Sequence, residues 1–113
     1  MVLHQYPQKI SQVQHNILEL ELQVNIYSEQ LSFMDCDIEA KIAGDKELRN
    51  EQQRKAKRLE LKQEPDYLEA ATNLKEFKQK HRAEQIKLEF LWGEFSVGKL
   101  EYRLRAAEMM AAS

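Results

Sequence analysis

The sequence contains few of the residues that end helices or cross-link chains. Its 113 residues include only 3 glycines, 2 prolines and 1 cysteine. Because so few turn-forming residues separate long stretches rich in Glu, Lys, Gln, Leu and Ala, we expect a single all-α domain. The lone cysteine, Cys36, excludes a disulfide within the chain and is typical of a reducing compartment.

Long hydrophobic runs and a dominant charge are also missing. No uncharged run approaches the roughly 18–20 residues that a membrane-spanning helix needs. The N-terminus, Met1–Lys9, has neither the basic start nor the apolar stretch of a signal peptide. We therefore expect a cytoplasmic protein with no membrane partner. The net charge is only −2, so no overall field attracts nucleic acid.

The clearest positive feature is a regular apolar stripe in the first third of the chain. Nine apolar residues recur at alternating spacings of three and four: Ile10, Val13, Ile17, Leu20, Val24, Tyr27, Leu31, Met34 and Ile38. This is the a/d pattern of a helix that packs against another helix. Its first part is our candidate seam for self-association or for a partner helix, and comprises Ile10, Val13, Ile17, Leu20, Val24, Tyr27 and Leu31.

Two interruptions divide the helical pattern. Pro7 suits the first turn of a helix that runs from about residue 8 to residue 63. At Gly44-Asp45 the glycine could end this helix in the left-handed conformation and Asp45 could cap a new one. A lone glycine inside a helix costs only about 1 kcal/mol, so the break is not forced and we expect the helix to continue through Gly44.

The second interruption, Glu64-Pro65-Asp66, is the firm boundary. Proline disfavours a helical conformation for Glu64. Asp66 and Glu69 have the spacing of a capping box in its carboxylate form. We therefore predict a turn over residues 64–66 and a second helix over about residues 66–111.

The second helix carries its own apolar stripe, formed by Tyr67, Ala70, Leu74, Phe77, His81, Leu88, Leu91, Phe95, Gly98 and Tyr102. Two striped helices predict a long antiparallel helical hairpin of coiled-coil type. In the expected register, Ile38 and Ile42 face residues 88–92, and Leu31 and Met34 face residues 95–98.

The predicted lengths leave the N-terminal end of the first stripe without a partner. Ile10, Val13 and Ile17 would project beyond the second helix. Burying each such side chain is worth roughly 1.5–3 kcal/mol. We therefore predict that the hairpin dimerises into a helical bundle. The alternative is a three-helix bundle whose first helix breaks at Gly44.

A basic segment provides the one alternative function. Residues 46–62 carry 7 basic and 3 acidic side chains. Phosphate contact with nucleic acid is one interpretation. The other is a solvated helix that pairs with its own glutamates, and no aromatic residues interleave to stack on bases. The candidate contact residues are Arg54, Lys55, Lys57, Arg58 and Lys62.

No catalytic, cofactor or metal site is predicted. In Asp35-Cys36-Asp37, neighbouring helical residues point about 100° apart and cannot converge on one ion. His4, His15 and His81 are isolated from one another in the sequence, and no Ser/His/Asp or Cys/His arrangement indicates a catalytic site. His81 lies in the second stripe, where a polar group can fix helix register. We expect an interaction protein rather than an enzyme.

Two segments resemble small coiled-coil proteins of phage and prophage type. One begins at Asp45 and reads Asp-Lys-Glu-Leu-Arg-Asn-Glu-Gln-Gln-Arg-Lys-Ala. The other begins at Phe95 and reads Phe-Ser-Val-Gly-Lys-Leu-Glu-Tyr-Arg. The resemblance covers roughly residues 35–105. It implies a helical protein that accompanies genes of DNA recombination or replication, and it assigns no functional residue.

Overall fold

The computed structural model describes residues 1–112, which form three α-helices. A 3-10 turn at Leu3–Gln5 precedes α1 (Tyr6–Gly44), which is followed by α2 (Glu51–Leu61) and α3 (Pro65–Ala112). Two compact units are present: residues Met1–Glu19 with the described residues from Lys80 onward, and residues Leu20–Gln79. The all-α prediction is therefore confirmed. In this part of the chain no helix is long and apolar enough to cross a membrane.

In the first unit the start of α1 packs antiparallel against α3. The buried core consists of Tyr6, Ile10, Val13 and Leu91, and Leu3, Ile17, Leu88 and Phe95 pack around it. Val13 is only 1% exposed. Tyr6 stacks on Phe95 with ring centroids 5.6 Å apart. The apolar spacing of α1 places these side chains on one face, so burying that face stabilises the pair of helices.

In the second unit the remainder of α1 packs antiparallel against the start of α3. Tyr27 stacks on Phe77 at 5.5 Å between ring centroids. Further along, the Tyr67 hydroxyl donates a hydrogen bond of 2.8 Å to Asp35. Ile38, Ile42 and Ala70 are the buried apolar residues of this unit.

The second unit also contains α2, which folds back along the end of α1. Asn50 caps α2, because its side-chain oxygen accepts a hydrogen bond of 2.9 Å from the Gln53 backbone N–H. The Gln53 side chain in turn accepts a hydrogen bond of 2.7 Å from the Arg49 backbone. Arg58 then contacts Glu39 on α1. This unit is accordingly a three-helix arrangement.

The helix boundaries correct part of the prediction. The continuous helix over residues 8–63 is wrong, since α1 ends at Gly44 and α2 begins at Glu51. Gly44 ends α1 without a positive φ, so the left-handed cap is also wrong. Asp45 accepts a hydrogen bond of 2.9 Å from the Glu47 N–H within the connecting loop and does not cap α2.

The boundary at proline is confirmed, with a small shift. Pro65 is the first residue of α3, the position where its missing N–H is harmless. Asp66 therefore lies in the first turn rather than at the N-cap, where its negative charge still complements the helix dipole.

The predicted register between the helices is wrong. Phe95 faces Tyr6 instead of Leu31 or Met34, and Gly98 lies beside Leu3. Because the break at Gly44 shortens α1 to 39 residues while α3 has 48, α3 is long enough to cover the N-terminal end of the stripe.

Candidate interaction surfaces

The seam predicted for self-association is largely covered within the chain. Ile10 and Val13 are buried. The other members are half-buried: Ile17, Leu20, Val24, Tyr27 and Leu31. The predicted overhang of Ile10, Val13 and Ile17 does not exist, because α3 packs on these side chains. The stripe is real, but its partner belongs to the same chain.

α3 carries a further apolar stripe on its outer side. We define the outer stripe as Ile86, Phe90, Gly93, Val97, Leu100 and Leu104, which recur at spacings of four, three, four, three and four. Its five larger side chains are between 51% and 66% exposed. A helix turns by about 200° over two residues, so this stripe lies opposite Leu88 and Phe95, which face α1.

The outer stripe was not predicted from the sequence, although its signal is present there. Val97, Leu100 and Leu104 continue the spacing of Ile86 and Phe90, and together they form an a/d series separate from the stripe that faces α1. A long exposed apolar face of this kind is typical of a surface that binds another protein.

An open groove of about 840 Å³ adjoins the outer stripe. Met1, Leu3 and Tyr6 form one wall, and Phe90, Gly93 and Val97 belong to the other. Burial and the nearby negative charge and hydrogen bond of Glu94 raise the pKa of the Tyr6 hydroxyl. The groove is thus mainly apolar, and its charged lining residues are Glu89, Glu94, Glu101 and Arg105.

Most of the cations of the basic segment are paired with carboxylates in the second unit. Arg58 makes two hydrogen bonds to Glu39, at 2.6 and 3.2 Å. Within 4.0 Å of carboxylates lie three more of these cations: Arg54 at 3.2 Å from Glu51, Lys57 at 3.7 Å from Glu60, and Lys62 at 3.9 Å from Asp35. Lys55 is exposed. The segment therefore contributes to holding α2 on α1.

Two contacts in the second unit, Arg58 with Glu39 and Tyr67 with Asp35, shift the pKa values of these side chains. The hydrogen bonds from Arg58 hold the pKa of the Glu39 carboxyl below its ordinary value, and Glu39 raises the pKa of Arg58. Burial and the hydrogen bond to Asp35 raise the pKa of the Tyr67 hydroxyl. Each pKa shift arises from a contact between helices of the second unit, so each of these pKa values depends on the folding of that unit.

The residues considered for chemistry are dispersed. Among residues 1–112, no group of three or more His, Cys, Asp or Glu side chains is arranged to hold a metal ion. Cys36 is exposed. His15 lies 3.3 Å from Glu19 on the same helix. Glu84, which lies between His81 and Leu88 on α3, has one shielded carboxylate oxygen without a hydrogen-bond partner.

Comparison with known proteins adds no assignment. No family model, no curated protein and no solved structure matches this chain. The resemblance to phage-type coiled-coil proteins therefore stays a prediction, and the candidate surfaces have to be judged by their geometry.

Proposed function

We propose that this chain is a non-enzymatic helical interaction protein that binds another helix through the outer stripe of α3. The observation that carries the proposal is the exposure of five large apolar side chains at a/d spacing on one helix. Exposing an a/d series to water forgoes the free energy that its burial would release, roughly 1.5–3 kcal/mol for each large side chain. A helix that packs on this face would recover much of it.

The α1 stripe and the outer stripe differ in what they contact, and this difference supports the proposed function. The α1 stripe stabilises the fold, because its partner side chains are on α3 of the same chain. The outer stripe contributes nothing comparable within the first unit and is available to a partner. We place this activity in the cytoplasm and, following the resemblance, among the accessory proteins of phage-type DNA metabolism.

Site-specific cross-linking in the cells that express the chain tests the proposal. A photoreactive amino acid in place of Val97, at the centre of the outer stripe, should cross-link to a second protein chain, identical or different. The same group in place of Gln14, an exposed polar residue of α1, is the matched control.

Dependence on the neighbouring apolar side chains makes the test specific. Replacing Phe90 and Leu100 with serine should abolish the cross-link from position 97 while the helical circular dichroism is retained. Equal cross-linking from positions 97 and 14, or cross-linking that survives the double serine variant, would contradict the proposal.

The second proposal is nucleic-acid binding through α2. It draws on the concentration of Arg54, Lys55, Lys57 and Arg58 on an 11-residue helix. It is the weaker proposal, because the carboxylates described above already compete for these cations. Before these cations could neutralise the phosphates of a nucleic acid, their ion pairs with the carboxylates would have to break.

A gel-shift experiment at low salt separates the two proposals. Lys55→Glu/Lys57→Glu should abolish DNA or RNA retention without disturbing the Arg58–Glu39 contact. Lys75→Glu/Lys78→Glu, which reverses the same number of charges on α3, is the control. Absence of binding by the unaltered chain at low salt would rule out the second proposal.

A further inference from the structure

The outer stripe is complementary to itself when reversed. Two copies of α3 can be placed antiparallel so that residue 95 of one copy is level with residue 95 of the second copy. Ile86 then lies opposite Leu104, and Phe90 lies opposite Leu100. Gly93 then lies opposite Val97. Each layer joins one a position with one d position, which is the layer type of antiparallel coiled coils. A single two-fold axis therefore matches the whole stripe.

The charges beside the stripe favour this arrangement. In an antiparallel pair, residues that flank the stripe on the same side approach one another. Lys87 of one copy then approaches Glu101 of the second copy, and Glu89 approaches Arg103. Two-fold symmetry repeats each contact, which gives four attractive pairs. Glu94, on the same side as Lys87 and Glu101, meets Glu94 of the second copy at the axis, so one like-charged contact stands against these four. Opposite charges at such flanking positions determine which partner and orientation a coiled coil adopts.

The parallel arrangement is disfavoured by the same residues. Flanking residues five positions apart would then meet, which places Glu89 against Glu94 and Arg82 against Lys87. Both pairs carry like charges and repel. The remaining charged pair, Arg103 with Glu108, is attractive but does not offset the other two.

Gly93 is consistent with a helix approaching closely at the centre of the stripe. A Cβ atom added at this position would meet nothing within 4 Å in the chain itself. The fold of the first unit therefore does not require glycine there, although glycine in the interior of a helix costs about 1 kcal/mol. Opposite Val97 of a second helix, the missing side chain makes room for the branched one.

We infer that the partner of the outer stripe is a second copy of this chain, bound antiparallel through α3 about a two-fold axis that crosses the outer stripe between Gly93 and Val97. This inference rests on the proposed function and names its partner and orientation. It also replaces the dimer predicted from the α1 stripe, because that stripe is already covered by α3. The new interface has its residues in the first unit alone.

Charge exchange at the flanking positions tests the orientation. In sedimentation equilibrium of the full chain, Lys87→Glu or Glu101→Lys should each raise the dimer Kd by roughly tenfold or more, because both symmetry-related pairs turn from attraction to repulsion. The combined variant Lys87→Glu/Glu101→Lys should restore the original Kd to within about threefold. Lys78→Glu, a reversal outside the stripe, should leave it unchanged.

The outcomes distinguish this inference from the proposed function. A wild-type chain that remains monomeric up to about 100 µM overturns the inference, whereas cross-linking from position 97 to a different protein would still support a partner helix. A dimer whose Kd is not restored by the combined variant overturns the antiparallel arrangement. Circular dichroism of each variant excludes loss of helix as the cause.

Discussion

Tyr6, the first residue of α1, stacks on Phe95 of α3 with 5.6 Å between ring centroids and 19° between ring planes. This pair sets the register of the first unit, because it aligns the start of α1 with residues beyond the middle of α3. It also explains why Ile10 and Val13 are buried rather than available to a partner.

Truncating Ile10 should destabilise the fold far more than truncating an isoleucine on the other face of α1. Ile10 is 3% exposed and Ile26 is 52% exposed. Ile10→Ala leaves a cavity and should lower the free energy of unfolding by about 2–5 kcal/mol, whereas Ile26→Ala should change it by about 0.5 kcal/mol or less. Urea unfolding followed by circular dichroism measures both. Equal losses would contradict the assignment of the core.

The two glycines of α3 should respond differently to alanine. Gly93→Ala should raise the free energy of unfolding of the dilute, monomeric chain by about 1 kcal/mol, since alanine is the better helix former. A Cβ at Gly98 would lie 3.0 Å from the end of the Leu3 side chain. Gly98→Ala should therefore gain less, because Leu3 has to move aside.

Removing the obstructing side chain provides the control for this prediction. In a Leu3→Ala background, Gly98→Ala should gain as much as Gly93→Ala does. Urea unfolding of the four chains forms a double-mutant cycle. A gain at Gly98 that does not depend on Leu3 would show that the contact does not constrain the helix.

The hydrogen bond from Tyr67 to Asp35 should stabilise the second unit at neutral pH. Tyr67→Phe removes this donor and should cost about 1 kcal/mol of unfolding free energy. Because the pKa of Tyr67 is raised above its ordinary value of 10.0, the folded state favours the protonated phenol. Its contribution is therefore complete below that ordinary value and is lost as the pH rises through the folded-state pKa.

The pH dependence of unfolding checks this sign. The difference in stability between the wild type and Tyr67→Phe should shrink above pH 10, measured by urea unfolding at a series of alkaline pH values. Tyr102→Phe, a change of the same kind at an exposed residue, is the matched control. A difference that grows with pH would contradict the assignment.

The contact between Arg58 and Glu39 should make the docking of α2 sensitive to acid. The pKa of Glu39 is lowered in the folded state, so its contribution to stability is present above the unfolded-state pKa and is lost as the pH falls through the folded-state pKa. Glu39→Gln should lower the thermal midpoint at pH 7, and the difference from wild type should disappear in acid.

A nearby exposed carboxylate provides the comparison for Glu39. Asp37 pairs at 3.1 Å with Lys41 of the same helix, so Asp37→Asn should have the smaller effect at neutral pH because it breaks no contact between helices. Amide hydrogen exchange in α2 should increase in Glu39→Gln and not in Asp37→Asn. Equal exchange in the two variants would show that Glu39 does not hold α2.

The sequence by itself determined the helical class, the apolar stripe of α1 and the start of the last helix at Pro65. These follow from local chemistry: a repeat of three and four residues aligns side chains on one face, and proline fixes the backbone where it occurs. The face of α3 that meets α1 was also largely predicted, since Leu88, Leu91 and Phe95 lie in the stripe identified from the sequence.

Only the tertiary structure decided the register and the free surface. A break at Gly44 changes the helix energy by about 1 kcal/mol, too little for the local sequence to choose, yet it determines which residues of α1 can reach α3. The side of α3 that meets α1 was predicted, but α3 also carries apolar side chains on the opposite side, and only the packing shows that these stay exposed. Packing of Tyr6, Ile10 and Val13 covers one side, and the outer stripe remains exposed.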